Sequence, residues 1–223
     1  MSAAFTPPPA LRPGAALPIA VLVSGKGTTL QNFIDEIQAG RLRAEIKLVI
    51  SSKLKAFALE RAVRAGLKAV VLKPGSFDGP EAYGDAIAKA AREAGAELLC
   101  MAGFLSYWRI PDALLGRVLN IHPSLLPAFC GKGVHGDAVH EAVLARGCKV
   151  SGCTVHVADN EYDAGPIVLQ RTVPVRDEDT LEILKARVFH EECLAYPQAI
   201  RLFAEGRIEY HGRKVRIVAP RTS

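Results

Sequence analysis

The chain has no apolar run approaching the roughly 18 residues of a membrane span; the longest, Leu17–Val23, has the length of a strand. It has no run of five or more Lys and Arg, and aromatic residues make up only 6% of it. Neither a membrane nor a nucleic acid is therefore expected as a partner. The net charge of +5 and the pI of about 9.0 fit an anionic small substrate. The five cysteines include no CxxC pair, and no Cys/His spacing supports a zinc site. No secretory leader is expected ahead of them, and they read as reduced structural thiols of a cytoplasmic protein, with no metal expected. No internal repeat is found. Residues 1–16, rich in Pro and Ala, are expected to be a disordered tail.

What is present is a regular alternation. Ile19–Ser24, Glu45–Ser51, Lys68–Leu72, Glu97–Ala102 and Arg117–Ile121 read as short strands, apolar throughout as when both faces are covered. Thr28–Ala39, Lys55–Ala65 and Gly79–Ala94 read as helices between them, each followed by a glycine. The second half reads as a helix over Asp137–Ala145, two strands over Val150–Ala158 and Ile167–Val175, and a long helix over Asp179–Glu205 bent near Pro197. Residues 207–217 are expected to add an edge strand. The pattern predicts an α/β fold: a Rossmann-like, mostly parallel twisted sheet with helices on both faces and antiparallel strands in the C-terminal half. One domain is expected over 17–219, its phosphate-binding half being 17–118 and its catalytic half 119–219.

The first strand runs straight into Ser24-Gly25-Lys26-Gly27-Thr28-Thr29, and then a helix begins. A helix N-terminus offers free N–H groups and partial positive charge, glycines let an oxyanion approach, and the threonines add hydroxyl donors. This is not a Walker A loop, and Leu30 stands where a dinucleotide fingerprint has its third glycine. The loop reads as a monophosphate site.

Asn120-Ile121-His122-Pro123-Ser124-Leu125-Leu126-Pro127 follows a strand. Side chains alternate along a strand, so Asn120 and His122 share a face, an amide donor beside a titratable imidazole. The acidic turn 159–163 reads either as a solvated hairpin loop or as the source of a partner, Asp163, for His122. Brought together, the three suit acyl transfer to an amine: His122 as base or proton shuttle, Asp163 as its partner, Asn120 as oxyanion donor. There is no Gly-x-Ser-x-Gly elbow, so direct attack by the substrate amine is the simpler path.

Taken together, Ile19–Gln31, Met101–Leu105, Leu119–Pro127, Gly152–His156 and Asp163–Gln170 resemble the phosphoribosylglycinamide formyltransferases, folate-dependent enzymes of purine biosynthesis. The resemblance covers about residues 18–210, in family order, and the Asn-x-His-Pro-Ser-Leu-Leu-Pro block is its most specific part. It implies formyl transfer from 10-formyltetrahydrofolate to glycinamide ribonucleotide, with Asn120, His122 and Asp163 catalytic. Gly25, Gly27, Thr28 and Thr29 would hold the ribose phosphate and Glu192 would contact the same substrate. Leu105, Ser106, Tyr107, Trp108, Asn120 and Asp159 would bind the folate. It also implies a cis Leu126–Pro127 bond, and a monomer or homodimer acting on small molecules.

The chain departs from the family pattern at four places. Thr28-Thr29 replaces Ser-Asn, Leu105-Ser106 replaces Met-Arg, Pro80 stands at a commonly basic position, and Cys130–His135 replaces a Pro-Gly-Leu-His-type loop. A formyltetrahydrofolate deformylase would share the trio but needs an N-terminal regulatory domain, which sixteen residues are not expected to supply. A methionyl-tRNA formyltransferase would need a further C-terminal barrel. A non-catalytic phosphoribosyl-binding protein would leave Asn120 and His122 dispensable.

Overall fold

The computed structural model describes residues 5–7, 11 and 14–219. The first half alternates β1 (Leu17–Val23), α1 (Thr28–Gln38), β2 (Ala44–Ser51), α2 (Phe57–Arg64), β3 (Ala69–Val71), α3 (Gly79–Glu93), β4 (Leu98–Met101) and β5 (Val118–His122). After these come α4 (Asp137–Arg146), β6 (Val150–Val157), β7 (Ile167–Pro174), α5 (Leu181–Ala204), β8 (Ile208–His211) and β9 (Lys214–Ile217). Seven strands form one sheet in the order β3-β2-β1-β4-β5-β6-β7. Pairing is parallel from β3 through β5 and antiparallel for β5–β6 and β6–β7. The expected α/β class and the antiparallel C-terminal strands are what the fold contains.

The strands are apolar on both faces because both are covered. On β1, Leu17, Ile19, Val21 and Val23 enter one core, with Phe33, Tyr196 and Phe203, while Ala20 and Leu22 enter the other, with Tyr83, Phe104 and Trp108. The helices present matching stripes: Leu30, Phe33 and Ile34 on α1 are buried at i, i+3, i+4 spacing. Their ends are set locally. After α1 the N–H of Gly40 donates to Ile37 O and that of Arg41 to Glu36 O, the paired bonds of a left-handed glycine cap. The same pair of bonds recurs at Gly66, Gly95, Gly147 and Gly206.

Three expectations change. The segment 207–217 does not join the main sheet: β8 and β9 pair with each other across Gly212-Arg213, where Gly212 at φ 61° permits a two-residue turn. Pro197, read as a bend, lies inside an unbroken α5, with Tyr196, Pro197, Ala199 and Ile200 all buried. Packing on that face outweighs the one backbone hydrogen bond a proline removes. The 1–16 tail falls largely outside the described residues, but Phe5 and Thr6 are docked rather than loose. The Thr6 N–H donates to Leu115 O at 3.0 Å, and the Phe5 ring lies 5.5 Å from that of Tyr210.

The order of strands reverses between β1 and β4. In such sheets ligands settle at the carboxyl ends of the strands beside that point. The glycine loop follows β1, the Gly103–Trp108 segment follows β4, and Asn120 and His122 end β5, so all three lie along one edge of the sheet.

Candidate active site

At that edge is a cavity of about 700 Å³, within the usual size of small-molecule sites. Gly25, Lys26, Thr28 and Thr29 line it, with Leu105, Ser106, Tyr107 and Trp108, Asn120 and His122, Asp159 and Asp163, and Glu192. Gly27 does not. It is buried as the residue capping α1, at φ 68°, and a Cβ there would sit 2.6 Å from that of Ala58. Its part is to let the loop turn tightly against α2. No side chain caps α1, so the first N–H groups of the helix are left for another acceptor. Around the loop, the Ala58 N–H donates to Gly25 O and Arg61 Nε donates to Lys26 O at 2.9 Å.

Asn120, His122 and Asp163 come together although the third is 41 residues from His122 in the chain. His122 Nε2 lies 2.9 Å from Phe129 O. A carbonyl only accepts, so Nε2 carries the proton and Nδ1 offers a lone pair. Nδ1 faces Asp163 Oδ2 at 3.8 Å, too far for a direct hydrogen bond. The other oxygen, Oδ1, is 3.5 Å from Asn120 Nδ2. Oδ2 also accepts from the Gly131 N–H at 3.1 Å.

The two non-glycine residues with positive φ among those described, Phe129 (51°) and Asp163 (52°), are the ones that seat this trio. Such conformations are held only where the surroundings over-determine them. Phe129 O is held by His122 Nε2, and the loop leading to it is pinned at Ser124 and Leu126: Thr154 Oγ1 donates to Ser124 O and accepts from the Leu126 N–H, and Gln170 Nε2 donates to Leu126 O. The Leu126–Pro127 peptide is cis. Beyond Asp163, Gly165 packs so closely on β6 that a Cβ would lie 1.7 Å from Val157 O.

One residue of the site went unassigned in the sequence. His156 is directly opposite Asn120 across β5 and β6, and its Nε2 lies 3.1 Å from Asn120 Nδ2. The pairing of β6 with β7 slips by one residue beside it. Nδ1 of His156 points to Val157 O at 3.3 Å, which places the ring proton there and leaves Nε2 as the acceptor. Burial pushes the imidazole down to about 4, so it is neutral at neutral pH. Strand periodicity puts His156 on the face opposite Val155 and Val157, but only strand register reveals its partner.

The wall after β4 is less uniform than the sequence implied. Leu105 and Tyr107 are 51% and 41% exposed, whereas Trp108 is 3% exposed and belongs mainly to the core. Leu105 is fixed through its N–H, which donates to Ser24 Oγ at 2.9 Å, and Ser24 in turn meets buried Ser52 at 2.6 Å. Across the mouth, the rings of Tyr107 and Tyr162 stand 5.3 Å apart. Asp159 accepts from the Glu161 N–H and lies 3.5 Å from Arg213 at the β8–β9 turn. Glu192 is recessed in the opposite wall, one turn before Tyr196, whose hydroxyl meets Leu119 O and Met101 O. Burial pushes the Glu192 carboxyl up to about 7. Among the described residues no group of three His, Cys, Asp or Glu side chains is placed to hold a metal ion, and no helix is long and apolar enough to cross a membrane.

Residues 17–200 match the family model described as formyl transferase. The chain is 36% identical over 195 residues to the phosphoribosylglycinamide formyltransferase of Escherichia coli, covering 86% of this chain and 90% of that one. It is 39% identical over 193 residues to the trifunctional purine biosynthetic protein adenosine-3 of Gallus gallus; that match covers 86% of this chain but only 19% of the relative's length. Among solved structures, the glycinamide ribonucleotide transformylase 1 of Symbiobacterium toebii superposes with a TM-score of 0.84 at 42% identity, covering 93% of this chain and 96% of that one.

Proposed function

The chain belongs to the formyl transferase family, and we propose that it transfers a formyl group from 10-formyltetrahydrofolate to the amine of glycinamide ribonucleotide, a step of purine biosynthesis. The observation that carries the reading is the convergence of Asn120, His122 and Asp163 on a cavity whose other end is an uncapped helix N-terminus. The substrate's phosphate lies at Gly25, Thr28 and Thr29, Glu192 accepts from its ribose, and the amine points to His122. The folate lies along Leu105–Trp108 and Asp159. Its partners are these two small molecules, and its place is the cytoplasm.

The amine nitrogen attacks the formyl carbon, and the carbonyl electron pair moves onto oxygen. Asn120 Nδ2 donates to that oxygen; its amide is held by His156, so little reorganisation accompanies the charge. His122 Nδ1 takes the proton lost by the amine, and Asp163 stabilises the imidazolium that forms. The carbon–N10 bond then breaks, the oxygen lone pair re-forms the carbonyl, and N10 receives the proton. No covalent enzyme intermediate and no metal are used.

The test is turnover of purified protein with both substrates, followed by absorbance of the released folate. Release only with water or another amine would overturn the assignment. His122→Ala is expected to abolish turnover while ribonucleotide binding persists; loss of binding instead would overturn the role given to His122.

A further inference from the structure

The uncapped end of α1 offers the substrate only a fractional positive charge, whereas a phosphate monoester carries close to two negative ones. Among the described residues, the only Lys and Arg lining the cavity are Lys26 and Lys185. Lys185 reaches across to α4, where its Nζ pairs with Asp137, the first residue of that helix. The Asp137 carboxyl is held below its usual range, chiefly by the hydrogen bond from Lys185, and His140 and Lys26 push the same way. Lys185 thus meets this carboxylate directly, and Lys26 lies in the glycine loop on the same cavity.

An independent observation marks the same corner as a ligand site. His140, on the first turn of α4, is 3% exposed and lines the cavity, yet its Nδ1 has no hydrogen-bond partner among the described residues. Burial, with Lys185 nearby, holds this imidazole below its usual value, so it faces the cavity as a neutral ring. An unpartnered buried nitrogen is costly unless a ligand or water satisfies it. On α5, Lys185 and Glu192 both line the cavity. They are seven residues apart, two turns along one face or about 10 Å.

We propose that Lys185 of α5 and Lys26 of the glycine loop hold the substrate's phosphate against the N-terminus of α1, with His140 Nδ1 as a third contact. Asp137 is the carboxylate that keeps Lys185 in place until the phosphate arrives. This rests on the substrate being a ribose phosphate. It gives the phosphate two ammonium charges, in the manner of point-charge lysine sites, and makes Asp137 a competitor for one of them. A mere surface pair between α4 and α5 would behave differently, because neither partner would then alter ligand affinity.

The experiment is calorimetric binding of ribose 5-phosphate and, separately, of glycinamide ribonucleotide to the full chain and its variants. Lys185→Met is expected to weaken both about tenfold or more, Lys185→Arg to restore most of the loss, and His140→Phe to weaken both severalfold. Asp137→Asn is expected to tighten both by freeing Lys185. Melting curves establish that each variant is folded. Unchanged affinity in a folded Lys185→Met, or weakening by Asp137→Asn equal to that of Lys185→Met, overturns the proposal. If ribose 5-phosphate binding follows Lys185 as stated but glycinamide ribonucleotide is never formylated, the phosphate clamp stands and the formyl-transfer reading falls.

Discussion

Asn120 and His156 face each other across β5 and β6, and the Asn120 amide donates to His156 Nε2 at 3.1 Å. The bond decides which way the amide points, since only its nitrogen end has a proton to give. Replacing His156 by Ala removes that constraint and leaves the amide free to turn its oxygen toward the substrate carbonyl. An angstrom of misplacement in a reacting site costs about a hundredfold. His156→Ala is expected to lower kcat by about 10- to 100-fold with little change in the KM for ribonucleotide. A KM effect alone would show that His156 shapes the pocket rather than the amide.

Asp163 accepts from the Gly131 N–H and faces imidazole nitrogens of both His122 and His156, at 3.8 and 3.7 Å. Asp163→Asn keeps the shape but loses the negative charge opposite His122. Proton transfer aided by a positioned group contributes about 10²- to 10⁴-fold. A loss of about 10²-fold or more in kcat is expected in steady-state assays. Retention of more than a tenth of the activity would remove Asp163 from the proton path.

Gly27→Ala would put a methyl group into Ala58 and force a left-handed backbone on a residue with a Cβ. The conformation costs about 1–2 kcal/mol and the overpacking about 1–3 kcal/mol. A urea midpoint lowered by a comparable amount is expected. Adding Ala58→Gly should return only the part of the packing cost that comes from the Ala58 methyl, since the Ala58 Cα would still lie 2.8 Å from the new Cβ, and none of the backbone part. Full recovery in the double variant would show that φ at Gly27 carries no strain.

Glu192 gives the fold a pH dependence of known sign. Its carboxyl titrates at about 7 in the folded chain against an ordinary 4.5. Between those values the folded state holds the proton that the unfolded state has released, so stability falls as pH rises through the window. The loss is complete above about 7 and amounts to at most about 3 kcal/mol. His156 works the opposite way, losing stability as pH falls from 6.5 toward about 4. The informative measurement is therefore the difference between wild type and Glu192→Gln. The variant is expected to be the more stable at pH 8, with the gap closing toward pH 5, by thermal melting. A gap independent of pH would mean Glu192 is not a buried acid.

Local features of this molecule were legible before folding. Glycine follows each of α1 to α5 because the residue after the last turn takes a positive φ, which a side chain opposes. Asn120 and His122 share a face because strands have a period of two. The tight turn from β1 into α1 was readable because Gly25, Lys26 and Gly27 lead directly into an amphipathic helix. These traits depend on a residue and its near neighbours, so linear order carries them.

What folding alone decided is who meets whom. Asp163 reaches His122 because β6 and β7 run back beside β5, and His156 finds Asn120 through a register that depends on both inner faces of the sheet packing at once. Trp108 turns into the core while Leu105 and Tyr107 remain at the cavity mouth. Lys185 meets Asp137 across two helices 48 positions apart, and Phe5 and Thr6 settle against the C-terminal hairpin and Gly116. Each of these contacts joins residues distant in the chain. Their energies come from packing and burial summed over the whole sheet, a quantity no short stretch of sequence contains.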